Sequence, residues 1–150
     1  MTMEQTDRYD SLIQYYSQAC DFDWVQLKAQ LYQESLMNPK AISHAGAMGL
    51  AQAMPATWDE WRIAGADPFN PEDSIAFCAR YMQWISGFLK QNALPSTADP
   101  KEHWRRCLAA YNWGVGNIRK HAETWEANLP NETETYLQKI KGYLELFMEN

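Results

Sequence analysis

The chain has 150 residues, 46% hydrophobic and 21% charged. That is the size of one domain with enough apolar material for a core, and it argues against disorder. Thirteen Lys and Arg stand against nineteen Asp and Glu, a net charge of −6, and the densest basic stretch is only Trp104-Arg105-Arg106-Cys107. Phosphate binding needs clustered positive charge, so a nucleic-acid partner is disfavoured.

The opening Met1–Asp10 is polar and acidic with no apolar segment behind it, so no signal peptide is expected. No apolar run approaches the ~20 residues of a membrane span. Stable membrane insertion and export by the general route are therefore not expected. A first helix is predicted over 8–20, with Leu12, Ile13 and Tyr16 on one side. Asp23, with Gln26 three residues on, reads as a capping-box variant that starts a second helix, with Leu27 and Leu31 on its apolar face. Asn38-Pro39 is expected to close it, because the residue before proline avoids helical angles. Residues 39–53 read as loop or short turns in which Gly46 and Gly49 take unusual backbone angles.

Pro55 opens a short helix to about Arg62. Asn70-Pro71-Glu72-Asp73 is a cap, a first-turn proline and two acids at the positive helix end. Ile75, Cys78, Met82, Ile85 and Leu89 follow at helical spacing to about residue 91, which places Cys78 in the core. Residues 93–100 read as a loop ending in a second cap-then-proline start, Asp99-Pro100. That helix is expected to stop at Gly114, and a short one near 115–122 comes next. The last starts near Asn131 or Glu132, with Tyr136, Ile140, Tyr143, Leu144 and Phe147 inward.

Three widely spaced cysteines, Cys20, Cys78 and Cys107, are neither a disulfide framework nor a zinc pattern. His44, His103 and His121 are scattered and suggest no metal cluster. Seven Trp and eight Tyr are many for the length. They serve core packing or line a groove suited to sugars or apolar ligands.

Leu27, Leu31 and Glu34 stand at i, i+4 and i+7, so a carboxylate shares a face with two leucines. After it no acidic residue occurs until Asp59. Apolar neighbours and the negative end of a helix both favour a protonated carboxyl, the form a general acid needs. A glutamate at the edge of that face, turned to solvent or to an Arg, fits the same spacing. Gln52 supplies an amide that donates and accepts, as N-acetyl sugars require, and Met54 a soft apolar contact. Tyr111 and Tyr136 each sit beside a helix end among polar neighbours, where a core role is equally open.

Four blocks in order carry a resemblance. They are Glu34-Ser35 with Asn38-Pro39; Ser43, Gly46-Ala47, Gly49-Leu50, Gln52, Met54-Pro55 and Thr57; Ala110-Tyr111-Asn112 with Gly114 and Gly116; and Glu132-Thr133 with Tyr136. The chain resembles, over about residues 24–137, the soluble lytic transglycosylase family of goose-lysozyme-like type. The resemblance implies an all-α, lysozyme-like single domain over 1–150 with a glycan groove and no metal or cofactor. It implies cleavage of the β-1,4 bond between N-acetylmuramic acid and N-acetylglucosamine in peptidoglycan. Glu34 would be the single catalytic acid and base. Ser35 would hydrogen-bond near it, Ser43, Gly49, Gln52 and Met54 would bind substrate, Tyr111 and Asn112 would border the groove, and Tyr136 would hydrogen-bond near Glu34. Ala51 and Ala53 depart from the bulkier residues common in the family, which points to a looser site or one packed from elsewhere.

The implied reaction closes a 1,6-anhydro ring and consumes no water. A goose-type hydrolase needs a second carboxylate, for which Asp59, Glu60 and Glu132 are available, and a non-catalytic glycan-binding domain on the same fold is a further alternative. Trp58, Trp61 and Trp113 are the stacking candidates by position, and Trp24, Trp84, Trp104 and Trp125 are assigned to core or surface. A monomeric phage lysis enzyme, held in the host cytoplasm and released to the wall by a holin, is the expected setting. A virion-associated or secretion-system enzyme comes next.

Overall fold

The structure, a computed structural model, describes residues 2–92 and 99–149. It contains helices α1 (Met3–Asp7), α2 (Asp10–Ala19), α3 (Trp24–Ser35), α4 (Pro55–Trp61), α5 (Pro71–Gln91), α6 (Pro100–Trp113), α7 (Val115–His121) and α8 (Asn131–Met148), with single 3-10 turns at Ala122–Thr124 and Glu126–Asn128. Extended pairing among the described residues is limited to the bridges Ile42–Met48 and Met48–Ala53, and the fold is all-α, as expected. The expected loop at 93–98 lies outside the described residues. The chain forms two compact units, Met1–Tyr81 with Tyr143–Asn150, and Met82–Gly142.

In the first unit, the helix expected over 8–20 is α2, and α1 precedes it outside the expected range. Thr2 caps α1 in a reciprocal box with Gln5, upstream of the apolar periodicity, and Tyr9 (φ −108°, ψ 11°) breaks the chain before α2. Asp23 caps α3, its Oδ1 accepting from the N–H of Val25 (2.8 Å) and Gln26 (3.3 Å). Gln26 thus contributes its backbone rather than its side chain.

α3 is buried on more than its leucine face. Leu27 and Leu31 are in the core, and so are Lys28, Ala29 and Gln30. The Lys28 ammonium, 5% exposed, pairs with Asp7 of α1 (2.5 Å) and Asp10 of α2 (3.0 Å). It also lies over the ring of Phe147, 4.8 Å from the centroid. An ammonium removed from water needs such compensation, and the ring's negative face extends it. Burial holds the Asp10 carboxyl above its ordinary range, opposed by the bond from Lys28. Tyr32, one turn after Lys28, meets Tyr143 and Phe147 edge-on.

α5 begins as its sequence predicts, with Asn70 Oδ1 accepting from the Asp73 N–H (3.0 Å). Tyr16 of α2 donates to Glu72 (2.8 Å), which pushes its phenol up to about 12. Arg80 donates to the carbonyl of Trp61 (2.7 Å) and satisfies the end of α4. Ile75, Cys78, Met82, Ile85 and Leu89 are all buried, as their spacing requires.

In the second unit, Asp99 caps α6 through the Lys101 N–H, and Trp104, Cys107, Leu108, Ala109 and Ala110 are buried along it. Burial pushes the Cys107 thiol up to about 12 and His103 below its ordinary value; Ser86 bonds His103 at 2.8 Å. The three cysteines are free and buried. Trp125 is buried under the guanidinium groups of Arg105 and Arg106. The inward positions of α8 are graded: Tyr136 and Ile140 are buried, while Tyr143, Leu144 and Phe147 are half-buried.

The Lys28 cluster makes an asymmetric prediction. Replacing Asp7 and Asp10 together by Ala strands a buried cation and is expected to lower unfolding free energy by about 3 kcal/mol. Lys28→Met removes the buried charge together with its desolvation cost and is expected to cost less. Urea denaturation of both variants measures the difference, and equal losses contradict this account.

Candidate active site

Glu34 occupies the last turn of α3, half-buried, behind Leu27 and Leu31. The helix ends at Ser35, three residues before the expected stop at Asn38. Leu36 (φ 52°) and Met37 (φ 60°) both adopt left-handed backbone, and the Leu36 N–H bonds the Tyr32 carbonyl at 2.8 Å. Two non-glycine residues in this region carry a conformational cost. Burial of the Met37 side chain accompanies it, while Leu36 stays exposed. The early stop leaves Glu34 next to the helix end.

Ser35 is the last residue of α3. It is buried, and its hydroxyl donates to the Leu31 carbonyl one turn back (3.1 Å).

The segment after α3 folds on itself. The Ser43 N–H donates to the Ala47 carbonyl (3.0 Å), and the Ser43 hydroxyl accepts the Ala47 N–H (3.0 Å). Gly49 (φ +73°) is buried where a Cβ would lie 1.9 Å from the Pro68 carbonyl oxygen. Its glycine requirement thus comes from packing against this chain's own backbone. Ser74, buried on α5, accepts the Ala51 N–H (3.0 Å). Gln52, itself at φ 51°, donates its amide to the carbonyls of Ala41 (3.1 Å) and Gly49 (2.9 Å). Both amide hydrogens are thereby used, and the Oε1 acceptor keeps its capacity for a ligand. Ala51 and Ala53, the departures noted above, are buried. Met54 is 43% exposed at the cap of α4.

Of the stacking candidates, Trp58 is corrected. It is buried and packs on Phe77 (centroids 5.3 Å apart), because its place on α4 faces α5. Trp61 is half-buried beside Tyr81. Asp59, Glu60 and Glu132 are exposed, and Asp59 lies 3.6 Å from Arg62.

In the second unit the third and fourth blocks meet. Tyr111 and Asn112 are half-buried in the last turn of α6, which Gly114 (φ +103°) terminates. Thr133, buried in the first turn of α8, donates to Asn112 Oδ1 at 2.9 Å and so orients that amide. Tyr136 follows three residues later on the same helix, also buried. Sequence reasoning quoted Thr133 and assigned it no role. It likewise missed Ser74 and the buried Lys28 and Gln30, for which helical spacing from Leu27 and Leu31 carries no signal. Among the described residues, no three His, Cys, Asp or Glu side chains gather in a way that could hold a metal ion.

The architecture is that of the lysozyme-like all-α proteins. Residues 11–132 match the family described as the transglycosylase SLT domain, and the chain belongs to that family. It is 37% identical over 129 residues to the membrane-bound lytic murein transglycosylase F of Pasteurella multocida, covering 86% of this chain and 24% of that protein. The Alteromonas mediterranea protein of the same name is 37% identical over 112 residues, 74% of this chain and 22% of the relative. The chain thus spans about a quarter of the length of these relatives. The 70-kDa soluble lytic transglycosylase of Escherichia coli superposes with a TM-score of 0.69 at 28% identity, covering 93% of this chain and 24% of that one. An inactive mutant of the lytic transglycosylase Slt from Pseudomonas aeruginosa shares the fold with a TM-score of 0.75 at 21% identity, covering 95% and 24%.

Gly49→Ala is expected to destabilise the protein by about 3 kcal/mol, because the Cβ meets the Pro68 carbonyl and the residue sits at positive φ. Gly46→Ala, at φ +91° but with open space around it, is expected to cost only about 1 kcal/mol. Thermal unfolding of the pair separates packing from backbone strain.

Proposed function

We propose that this chain is a peptidoglycan lytic transglycosylase whose single acid and base is Glu34. The observation that carries the reading is a half-buried carboxylic acid in the last turn of α3, in a chain that belongs to the transglycosylase SLT family. The names of its relatives, lytic murein transglycosylases, supply the substrate.

In the proposed reaction, protonated Glu34 gives its proton to the oxygen bridging N-acetylmuramic acid and N-acetylglucosamine. The glycosidic bond breaks through an oxocarbenium-like state, assisted at C1 by the carbonyl oxygen of the substrate's own N-acetyl group. The Glu34 carboxylate then takes the proton of the C6 hydroxyl as that oxygen closes onto C1. The acid is regenerated, the product ends in 1,6-anhydro-N-acetylmuramic acid, and no water is added. The Gln52 amide, held by two carbonyls, presents its Oε1 to N–H or O–H donors of the sugar. Met54 offers an exposed apolar contact. Asn112, oriented by Thr133, and the neighbouring Tyr111 border the glycan. Ser43 and Gly49 act by shaping the loop, and Ser35 by bonding the end of α3. No cofactor is required.

Phage-driven host lysis is the proposed setting. It predicts that co-expression with a holin lyses Gram-negative cells and that expression alone does not.

Glu34→Gln preserves size and hydrogen bonding but removes the acid. Release of soluble muropeptides from Gram-negative peptidoglycan is expected to fall by roughly 10³-fold or more, with the unfolding midpoint nearly unchanged. Mass spectra of the wild-type products are expected to show fragments one water lighter than hydrolysis gives. Ordinary reducing ends make the chain a hydrolase, and undiminished release by Glu34→Gln rules out the acid assignment.

A further inference from the structure

Trp113 and His121 form a feature that neither the fold nor the proposed chemistry uses. Their rings lie 5.3 Å apart between centroids and within 6° of parallel. Trp113 is the last residue of α6, directly after Tyr111-Asn112, and His121 the last residue of α7. The backbone around the indole is held twice, by Gly114 at φ +103° and by the Asn117 amide donating to the Trp113 carbonyl (2.7 Å). The other tryptophans on this side of the sequence, Trp104 and Trp125, are buried, whereas Trp113 is half-buried.

We infer that the Trp113 indole, backed by the His121 ring, is a stacking platform for an N-acetylated sugar of the glycan strand. The inference rests on the glycan-cleaving reading above and adds to it a binding residue and a positioning residue. Pyranose rings of β-1,4-linked 2-acetamido sugars present axial C–H bonds on their faces, which suit the electron-rich face of an indole. A ring already pinned on one side loses little rotamer freedom when a sugar packs on the other, so the contact is pre-organised. The protein's negative charge gives no attraction to an anionic wall, which leaves stacking and hydrogen bonds to hold the strand. Trp113 supplies the stacking. His121 touches no sugar and acts by fixing the indole plane.

The test is calorimetric titration of hexa-N-acetylchitohexaose into the Glu34→Gln protein, where binding is read without turnover. Adding Trp113→Ala is expected to weaken binding about tenfold. Adding His121→Ala is expected to weaken it about threefold, and His121→Phe, which restores a flat ring, is expected to bind as the parent does. In the active protein, on sonicated soluble peptidoglycan, Trp113→Ala is expected to raise KM with kcat held, the signature of lost uniform binding. Unchanged affinity in a Trp113→Ala protein with native circular dichroism overturns the platform, as does an absence of binding with Trp113 intact. His121→Phe binding as weakly as His121→Ala overturns the positioning role. Muropeptide release by the wild type with no effect of Trp113 sinks this inference alone. Trp113-dependent binding with no muropeptide release sinks the enzyme reading alone.

Discussion

The first unit is organised around one buried cation. Lys28 carries its charge into the middle of α3, where its side chain is nearly withdrawn from solvent, and Asp7, Asp10 and the ring of Phe147 surround it. Each partner comes from a different helix, α1, α2 and α8, so a single ammonium ties three segments to the helix that bears Glu34. Asp7, Asp10 and Phe147 all lie outside the part of the chain that matches the family, residues 11–132. The demand of a desolvated charge for partners gives those flanking segments a fixed place.

The candidate acid depends on how α3 ends. A helix that ran on to Asn38 would carry Leu36 and Met37 around its next turn and bury Glu34 differently. Instead two residues enter the left-handed region, Met37 goes inward, and the chain turns into the loop that holds Ser43, Gly49 and Gln52. That loop has almost no regular structure, and side chains and close approach hold its shape. The Gln52 amide spans two carbonyls, Ser74 takes the Ala51 N–H, and Gly49 admits the Pro68 carbonyl. Several residues that a motif marks as functional are thus structural first, since a rigid loop is a condition for placing any group against a sugar.

Much of the architecture was legible because it rests on local chemistry. Asp23, Asn70 and Asp99 cap the helices that their positions announce, and the apolar stripe of α5 is buried at every expected position. A serine hydroxyl in a helix has a near partner in the carbonyl four residues back, and Ser35 uses it. Trp58 was misread because sequence position does not say which face of a seven-residue helix is covered. The helix α1 was missed because the cap at Thr2 starts a helix that no apolar periodicity marks.

By itself the sequence determined the all-helical class, most of the helix starts and the core of α5, and it singled out the candidate glutamate and amide, since caps, helical period and residue type act over a few positions. Only the tertiary structure decided which polar groups are buried and what satisfies them: Lys28 with two aspartates, Asn112 with Thr133, Gln52 with two carbonyls, Gly49 against Pro68. Those pairings join residues far apart along the chain or hidden from the apolar pattern, and the cost of desolvating each group is set by what the fold brings beside it.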